Sequence, residues 1–408
     1  AKGCKFRDFL SQMVFALRGR APIPLWQCAC CKQARVLGHL SHLGNLGPPL
    51  LEKSGSSAMF SASLLCALCR RVASSPASSR PLQMSTAAAV ISQEIDIWSF
   101  NLRTELVKED DLENSWPKRR DEVAALLGKY KPAIVCVQEA TVAMLSHLSS
   151  KSKGDYQWKG ISRQPSKPDE CAGFLFDVEQ VELLNHSVFW LSPPGSHDGE
   201  IGWDAKLPRT CESAVFKIHA AHAASAVGPQ PELKVRVLNT HFDHEGIIAR
   251  SESAGLIVDS ITKSWQDMPG CPQVLCGDFN SPKSSEAYSL LSGALNDAFR
   301  SVVAAKLCTA GARSTIHKWQ GLSFSEEMGD GTVDLSGELT SREDTRHIDW
   351  ILWQNGRADL GYLGSTELQP LKCRVITDRM ANGRYPSDHF PLSATFLATI
   401  ASNAQSRL

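Results

Sequence analysis

Val274-Leu275-Cys276-Gly277-Asp278-Phe279-Asn280-Ser281-Pro282 decides the reading of this chain. A branched, apolar run of strand length ends in a Gly-Asp turn and an amide. The same pattern recurs at Ser99-Phe100-Asn101, at Ile134-Val135-Cys136-Val137-Gln138-Glu139, at Val235-Arg236-Val237-Leu238-Asn239-Thr240-His241, at His347-Ile348-Asp349-Trp350 and at Ser387-Asp388-His389. Each polar cluster stands where an apolar run emerges from a core, the place where α/β proteins build active sites.

The side chains so placed are oxygen and imidazole donors, with no cysteine among them. Glu139, Asp278, Asp388, Asn101 and Asn280 offer hard oxygens suited to Mg²⁺ or Mn²⁺, whereas zinc would favour more His or Cys. That donor set points to a phosphate ester as substrate. Its hydrolysis needs a cation at a phosphoryl oxygen, a carboxylate for the water, and hydrogen-bond donors for the transition-state charge. Blander readings exist for single positions. Asn101 and Asn280 could be ordinary turn residues, and Glu139 and Asp388 solvated loop charges. An unpaired carboxylate beside an apolar stretch would nevertheless be costly.

Taken in order, Asn101-Leu102-Arg103, Trp116-Pro117-Lys118-Arg119-Arg120, Gln138-Glu139, Asn239-Thr240-His241, Gly277 to Ser281, Ile348 to Ile351 and Ser387 to Leu392 resemble the endonuclease/exonuclease/phosphatase (DNase I-like) superfamily, over about residues 94 to 398. The resemblance implies an α/β four-layer sandwich of two packed mixed β-sheets flanked by helices. It implies that Glu139, helped by Asn101, holds Mg²⁺, with Asp388 a further metal-side carboxylate. Asp278 would align the attacking water, Asn280 orient the phosphate, and His389, its tautomer fixed by Asp349, join His241 at the phosphoryl oxygens. Gly277 to Pro282 running on to Ala287-Tyr288, with Tyr385-Pro386-Ser387-Asp388-His389, resembles the deadenylase and nocturnin-like exonucleases. Gly202-Trp203-Asp204 and Pro208-Arg209-Thr210 resemble a less characterised hydrolase branch.

The expected activity is therefore a Mg²⁺-dependent phosphoesterase, a 3′–5′ exonuclease on single-stranded RNA being one form. A nucleotide or inositol phosphatase is the alternative. An inactive binding module of the same fold would be expected to lack Glu139, Asp278 or His389, and all three are present. Arg209 is either a phosphate-binding fork or a surface Arg ahead of a strand. His317 and Trp319 are read as a satisfied His and a half-buried Trp, with a stacking role for Trp319 as the alternative. Asp243 and His244 are read as helix N-terminal caps.

Charge divides the chain where the motifs do. Residues 1–93 carry eleven Lys/Arg against two Asp/Glu, and the remainder 32 basic against 41 acidic residues. An acidic catalytic region argues against a tight, sequence-independent grip on long duplexes. Met59 to Gln93 has no Asp or Glu and is rich in Ser, Ala and Arg, like a mitochondrial or plastid transit peptide. A start at Met84 would instead leave a cytoplasmic enzyme. The stretch from Met59 to Cys69 is too short to span a bilayer, and oligomeric state is not legible. Seven of the thirteen cysteines fall in the catalytic part, and Cys136 and Cys276 read as small buried hydrophobes. Cys28-Ala29-Cys30-Cys31 leaves too little loop for a metal knuckle. Strands are expected over Ile95–Phe100, Ile134–Val137, Ser213–Ile218 and Val274–Cys276, and helices over Pro117–Tyr130 and Ile247–Thr262.

Overall fold

Ile134–Gln138 (β2) buries all five of its side chains, as a run of Ile, Val and Cys does when both faces of its sheet are covered. It lies parallel to Val90–Asn101 (β1), with Ile97 beside Ile134 and Asn101 beside Gln138. The crossover is Trp116–Tyr130 (α1), which has Pro117 in its first turn and leaves through Lys131 at φ 48°. This computed structural model describes residues 90–220, 232–305, 307–310, 314–325, 346–356 and 365–401. The basic segment 1–89, the tail 402–408 and most of the stretch from Ala310 to Arg346 lie outside the described residues, and the transit-peptide reading falls there. β1 itself begins ahead of the 93/94 boundary drawn from composition.

The remaining elements follow in chain order: Val142–Lys151 (α2), Tyr156–Lys159 (β3), Phe174–Asp177 (β4), Val181–Trp190 (β5), Thr210–Ile218 (β6), Leu233–His241 (β7) and Ile247–Asp267 (α3). After these come Gln273–Asp278 (β8), Glu286–Ala294 (α4), Asn296–Asp297 (β9), Ala298–Ala304 (α5), Cys308–Ala310 (β10), Leu322–Ser325 (α6), Asp349–Gln354 (β11), Glu367–Val375 (β12) and Leu392–Ala401 (β13). One sheet has the order β10-β12-β13-β1-β2-β4-β3 and the other β5-β6-β7-β8-β11-β9. Both are mixed, with parallel pairs β1–β2 and β7–β8 near their centres.

Alternation along the strands sets the layers. Ile95, Ile97, Ile134 and Cys136 point into a shared core with Phe216, Val237, Val274 and Cys276 of the second sheet. Trp98, Phe100, Val135 and Val137 point the other way, onto Val123, Leu126 and Leu127 of α1 and Met144, Leu145 and Leu148 of α2. Leu238, Leu275 and Trp350 meet Ile257 and Ile261 of α3 and Leu291 of α4. The result is helices, sheet, sheet, helices: the four-layer sandwich expected. Cys136, Cys171, Cys211, Cys271, Cys276 and Cys373 are free and buried, behaving as small apolar residues. No described helix is long and apolar enough to cross a membrane.

Two details position the site. A Cβ on Gly277 would fall 2.5 Å from the Thr240 carbonyl oxygen, so only glycine lets β8 approach β7 closely enough to set Asp278 beside His241. At the start of α3 the caps read from sequence are corrected. Gly246 is the N-cap and has no side chain to offer, so the free N–H groups of Ile248 and Ala249 donate to Asp204 at 3.2 and 2.7 Å. Asp243 instead closes the preceding turn, accepting from Glu245 N and Gly246 N. His244 accepts from Arg209.

Candidate active site

Asp278 ends β8, His241 ends β7 and Asp349 opens β11, and in the sheet Asp278 has His241 as its parallel partner and Asp349 as its antiparallel one. A single row across the second sheet therefore carries an imidazole and two carboxylates. From the first sheet come Asn101, at the end of β1, Glu139, just past β2, and Asp388 and His389, just ahead of β13.

Asn101 joins the two groups. Its Nδ2 donates to Glu139 Oε1 at 3.0 Å and to Asp278 Oδ2 at 2.9 Å, while its Oδ1 accepts from Arg103 N. Asn101 thus positions two carboxylates by donation, and its oxygen is turned to the backbone. Glu139, at φ 56°, also accepts from Thr104 N at 3.0 Å. Burial alone would raise the Glu139 carboxyl, but those two hydrogen bonds and Arg103 hold it below its ordinary value. Asp278 has the opposite setting: burial, and then the Asp349 charge, push it up to about 7.

His389 Nδ1 lies 2.9 Å from Asp349 Oδ2, and its Nε2 lies 3.8 Å from Asp278 Oδ2. Burial opposes a charge on His389, yet Asp349 and then Asp278 raise it to about 10, favouring the protonated ring. His241 is the reverse case. Burial, followed by the positive charge of Arg209, depresses it far below the usual histidine range. Its Nε2 accepts from Asn280 Nδ2 at 3.0 Å, and the same amide donates to Phe242 O. Thr315 fixes the acidic partner of His389 by accepting from Ile348 N and Asp349 N, and its carbonyl accepts from Phe390 N.

Every residue expected at the site except Asn101 and Asp349 lines one cavity of about 560 Å³. Those two stand directly behind it, each bonded to a lining residue. Arg209 is no surface residue: it is buried, its Nε is 3.4 Å from Asp243, and its Nη1 has no protein partner. His317 is a core residue packed on Phe390 and Tyr385, but its buried Nε2 has no hydrogen-bond partner among the described residues, which corrects the reading of a satisfied histidine; Trp319 is half-buried and lines the cavity.

The donor set suits a hard divalent cation. Glu139 and Asp388 face the cavity half-buried, and Asp349 Oδ1 is a buried oxygen without a hydrogen-bond partner. Among the described residues, ligand atoms of Asp278, Asp349 and His389 also lie within 4.8 Å of one another. Within that trio His389 Nδ1 already faces Asp349 Oδ2 at 2.9 Å. The open carboxylates Glu139 and Asp388 fit the ion.

Sequence reasoning missed the site's supporting residues. Arg119 is fully buried and donates to the carbonyl oxygens of Asn114, Leu102, Pro386 and Arg103 at 2.6 to 2.9 Å. It ties the loop after β1 to the Ser387 segment. Its only sequence signal is its place in Trp116-Pro117-Lys118-Arg119-Arg120, which reads equally well as a solvated helix start. Arg163, paired with Asp169 and Glu170, lines the cavity from a loop that has no pattern at all.

The Endonuclease/Exonuclease/phosphatase family profile matches residues 98–389. Among solved structures, an endonuclease/exonuclease/phosphatase family protein from Bacteroides thetaiotaomicron superposes with a TM-score of 0.58 at 21% identity, covering 76% of this chain and 96% of that one. A Bacteroides vulgatus endonuclease/exonuclease/phosphatase does so at 0.56 and 24%, covering 74% and 98%. A Bacteroides thetaiotaomicron mannosyl-6-phosphatase does so at 0.56 and 22%, covering 74% and 99%. At these identities the likeness is one of fold. None of the curated proteins matches the chain. The profile spans every cluster from Asn101 to His389, and the two packed sheets are those of its solved relatives: the chain belongs to the endonuclease/exonuclease/phosphatase family, hydrolases of phosphoester bonds.

Proposed function

We propose that the protein is a divalent-metal-dependent phosphoesterase acting on an ester that enters a cavity, either a small phosphorylated molecule or the end of a chain. The observation that carries this reading is the Asn101 amide, which holds a charged Glu139 and a proton-accepting Asp278 on either side of one point, with the His389 imidazolium facing it. The acidic balance of residues 94–408 favours such an ester over the interior of a duplex.

Glu139 and Asp388 would hold Mg²⁺ or Mn²⁺, which when bound supplies Lewis-acid polarisation of a phosphoryl oxygen. Asp278 aligns the attacking water and accepts its proton. His389 donates from Nε2 to the phosphoryl oxygen that gains charge, and Asp349 keeps that ring oriented and protonated. Asn280 and neutral His241 fix the opposite side of the phosphate, and the unpartnered Nη1 of Arg209 is a further donor to it.

The test is a panel of oligo(A) RNA, abasic duplex DNA, nucleotide phosphates and inositol phosphates, assayed with Mg²⁺ and again in excess chelator. Activity is expected only with the metal, and Glu139→Gln should weaken Mg²⁺ binding in calorimetry. Undiminished hydrolysis in chelator would overturn the reading.

A further inference from the structure

Lys318 and Trp319 are consecutive residues at φ 47° and 65°. Each such left-handed residue with a side chain costs on the order of 1–3 kcal/mol unless its surroundings impose it. Here they do. His317 N and Lys318 N both donate to the Asp388 carbonyl, at 2.8 and 3.1 Å, Gln320 N donates to His317 O, and Gly321 N donates to His317 Nδ1. The His317 ring is clamped against Phe390 at 4.0 Å between centroids. The loop is therefore stitched to the same segment that carries Asp388 and His389.

The effect of that geometry is to place Trp319 half-buried on the cavity wall, with Ile316 and Val107 also in the lining. The Arg119 guanidinium lies 5.1 Å from the indole centroid and is itself immobilised by four carbonyl oxygens. A large ring seated on a fixed cation loses little freedom when a second flat group lies against it. No contact among the catalytic groups uses this ring.

We propose that Trp319 is a specificity-determining residue on which the base of a nucleoside phosphate ester stacks while its phosphate lies over Asp278 and His389. This rests on the phosphoesterase reading above. A base presents the π-face that such a platform recognises, and a cavity of about 560 Å³ is of the size that encloses a small ligand.

The experiment compares adenosine monophosphate with ribose 5-phosphate, which differ by the base, on the full 408-residue chain and its Trp319→Ala and Trp319→Phe variants. Both kcat/KM and calorimetric binding with Mg²⁺ are measured, and a short oligo(A) in parallel separates a free nucleotide from a chain end as the source of the base. Trp319→Ala should reduce the preference for the base-bearing ester by roughly 5- to 150-fold, the range for losing one stacked base, mainly through KM. Trp319→Phe should restore most of it. Equal losses on the two esters, or a wild-type protein that binds them equally well, would overturn the proposal. Because binding is read separately, a protein that prefers the base yet hydrolyses neither ester nor the oligo(A), nor any other member of the substrate panel, counts against the phosphoesterase reading and leaves the platform standing.

Discussion

The two sheets offer the site the same scaffold and opposite electrostatics. In each, a pair of parallel strands ends side by side, Asn101 beside Gln138 in one and His241 beside Asp278 in the other. In each, a residue just past the second strand takes a left-handed backbone, Glu139 at φ 56° and Asn280 at φ 45°. The first sheet surrounds its carboxylate with N–H donors, and Glu139 stays charged despite burial. The second sets its carboxylate beside another acid, and Asp278 is pushed up to about 7. Glu139, one residue past its strand, and Asp278, the last residue of its strand, thus hold a proton with different strength. The difference comes from the second ring of donors and charges, which the strand ends alone do not dictate.

The sharpest way to break that contrast is at the link between the halves, where His389 of the first meets Asp349 of the second. Asp278→Ala and His389→Ala should each lower kcat by about 10²–10⁴-fold, the range for losing a general base or its equivalent. Asp349→Asn should act through His389, so that its effect largely disappears in a His389→Ala background. Fully additive losses in that double-mutant cycle would show that the pair does not work as a unit.

Arg119 tests whether the first half depends on its backbone donors being held in place. Arg119→Met keeps much of the volume but leaves four carbonyl oxygens without their donor. Urea denaturation should show a loss of at least about 3 kcal/mol, since each orphaned buried acceptor costs on the order of 1–3 kcal/mol. A variant of wild-type stability would mean that water replaces the guanidinium without penalty.

The smallest effect is expected in the second half, at the start of α3. Gly246→Ala puts a poorer residue at the N-cap, and its Cβ would meet the Asp204 carbonyl oxygen at 2.7 Å. Both effects act in the same direction, with a net loss of about 1 kcal/mol seen as a lower Tm. A higher Tm would show that the Asp204 segment gives way freely.

These same residues mark the limit of what the sequence discloses. Asn101, Glu139, His241, Asp278, Asp349 and His389 were legible because a polar residue ending a buried strand breaks the apolar pattern visibly. The strands around them were legible for the same reason, though β1 and β8 each run longer than the apolar residues alone indicate. Asp204 was not recognisable as the partner of α3, because it meets Ala249 from 45 positions away and nothing local announces the contact. Asp243 was assigned that task because it stands next to the helix. Arg119 and Arg163 resemble solvated charges in any linear reading; only their contacts across the fold make them buried. Trp319 was passed over for a related reason, since the backbone that turns its ring to the cavity is imposed by Asp388 and not by its own neighbours in the chain.

The pairing of the first described strand with the last has a consequence for the order of events in synthesis. β1 runs antiparallel to β13 from Val90 opposite Ala401 to Ser99 opposite Leu392, and the Ser387 hydroxyl donates to the Asn101 carbonyl at 2.7 Å across 286 positions of sequence. A nascent chain on the ribosome can lay down the second sheet from contiguous segments, but β1 must wait for β13 to emerge before its open edge is covered. Asp388 and His389 arrive with that same last segment. Translation that stops short of Ser387 therefore releases a chain with an exposed strand edge and without the Asp388 and His389 side chains.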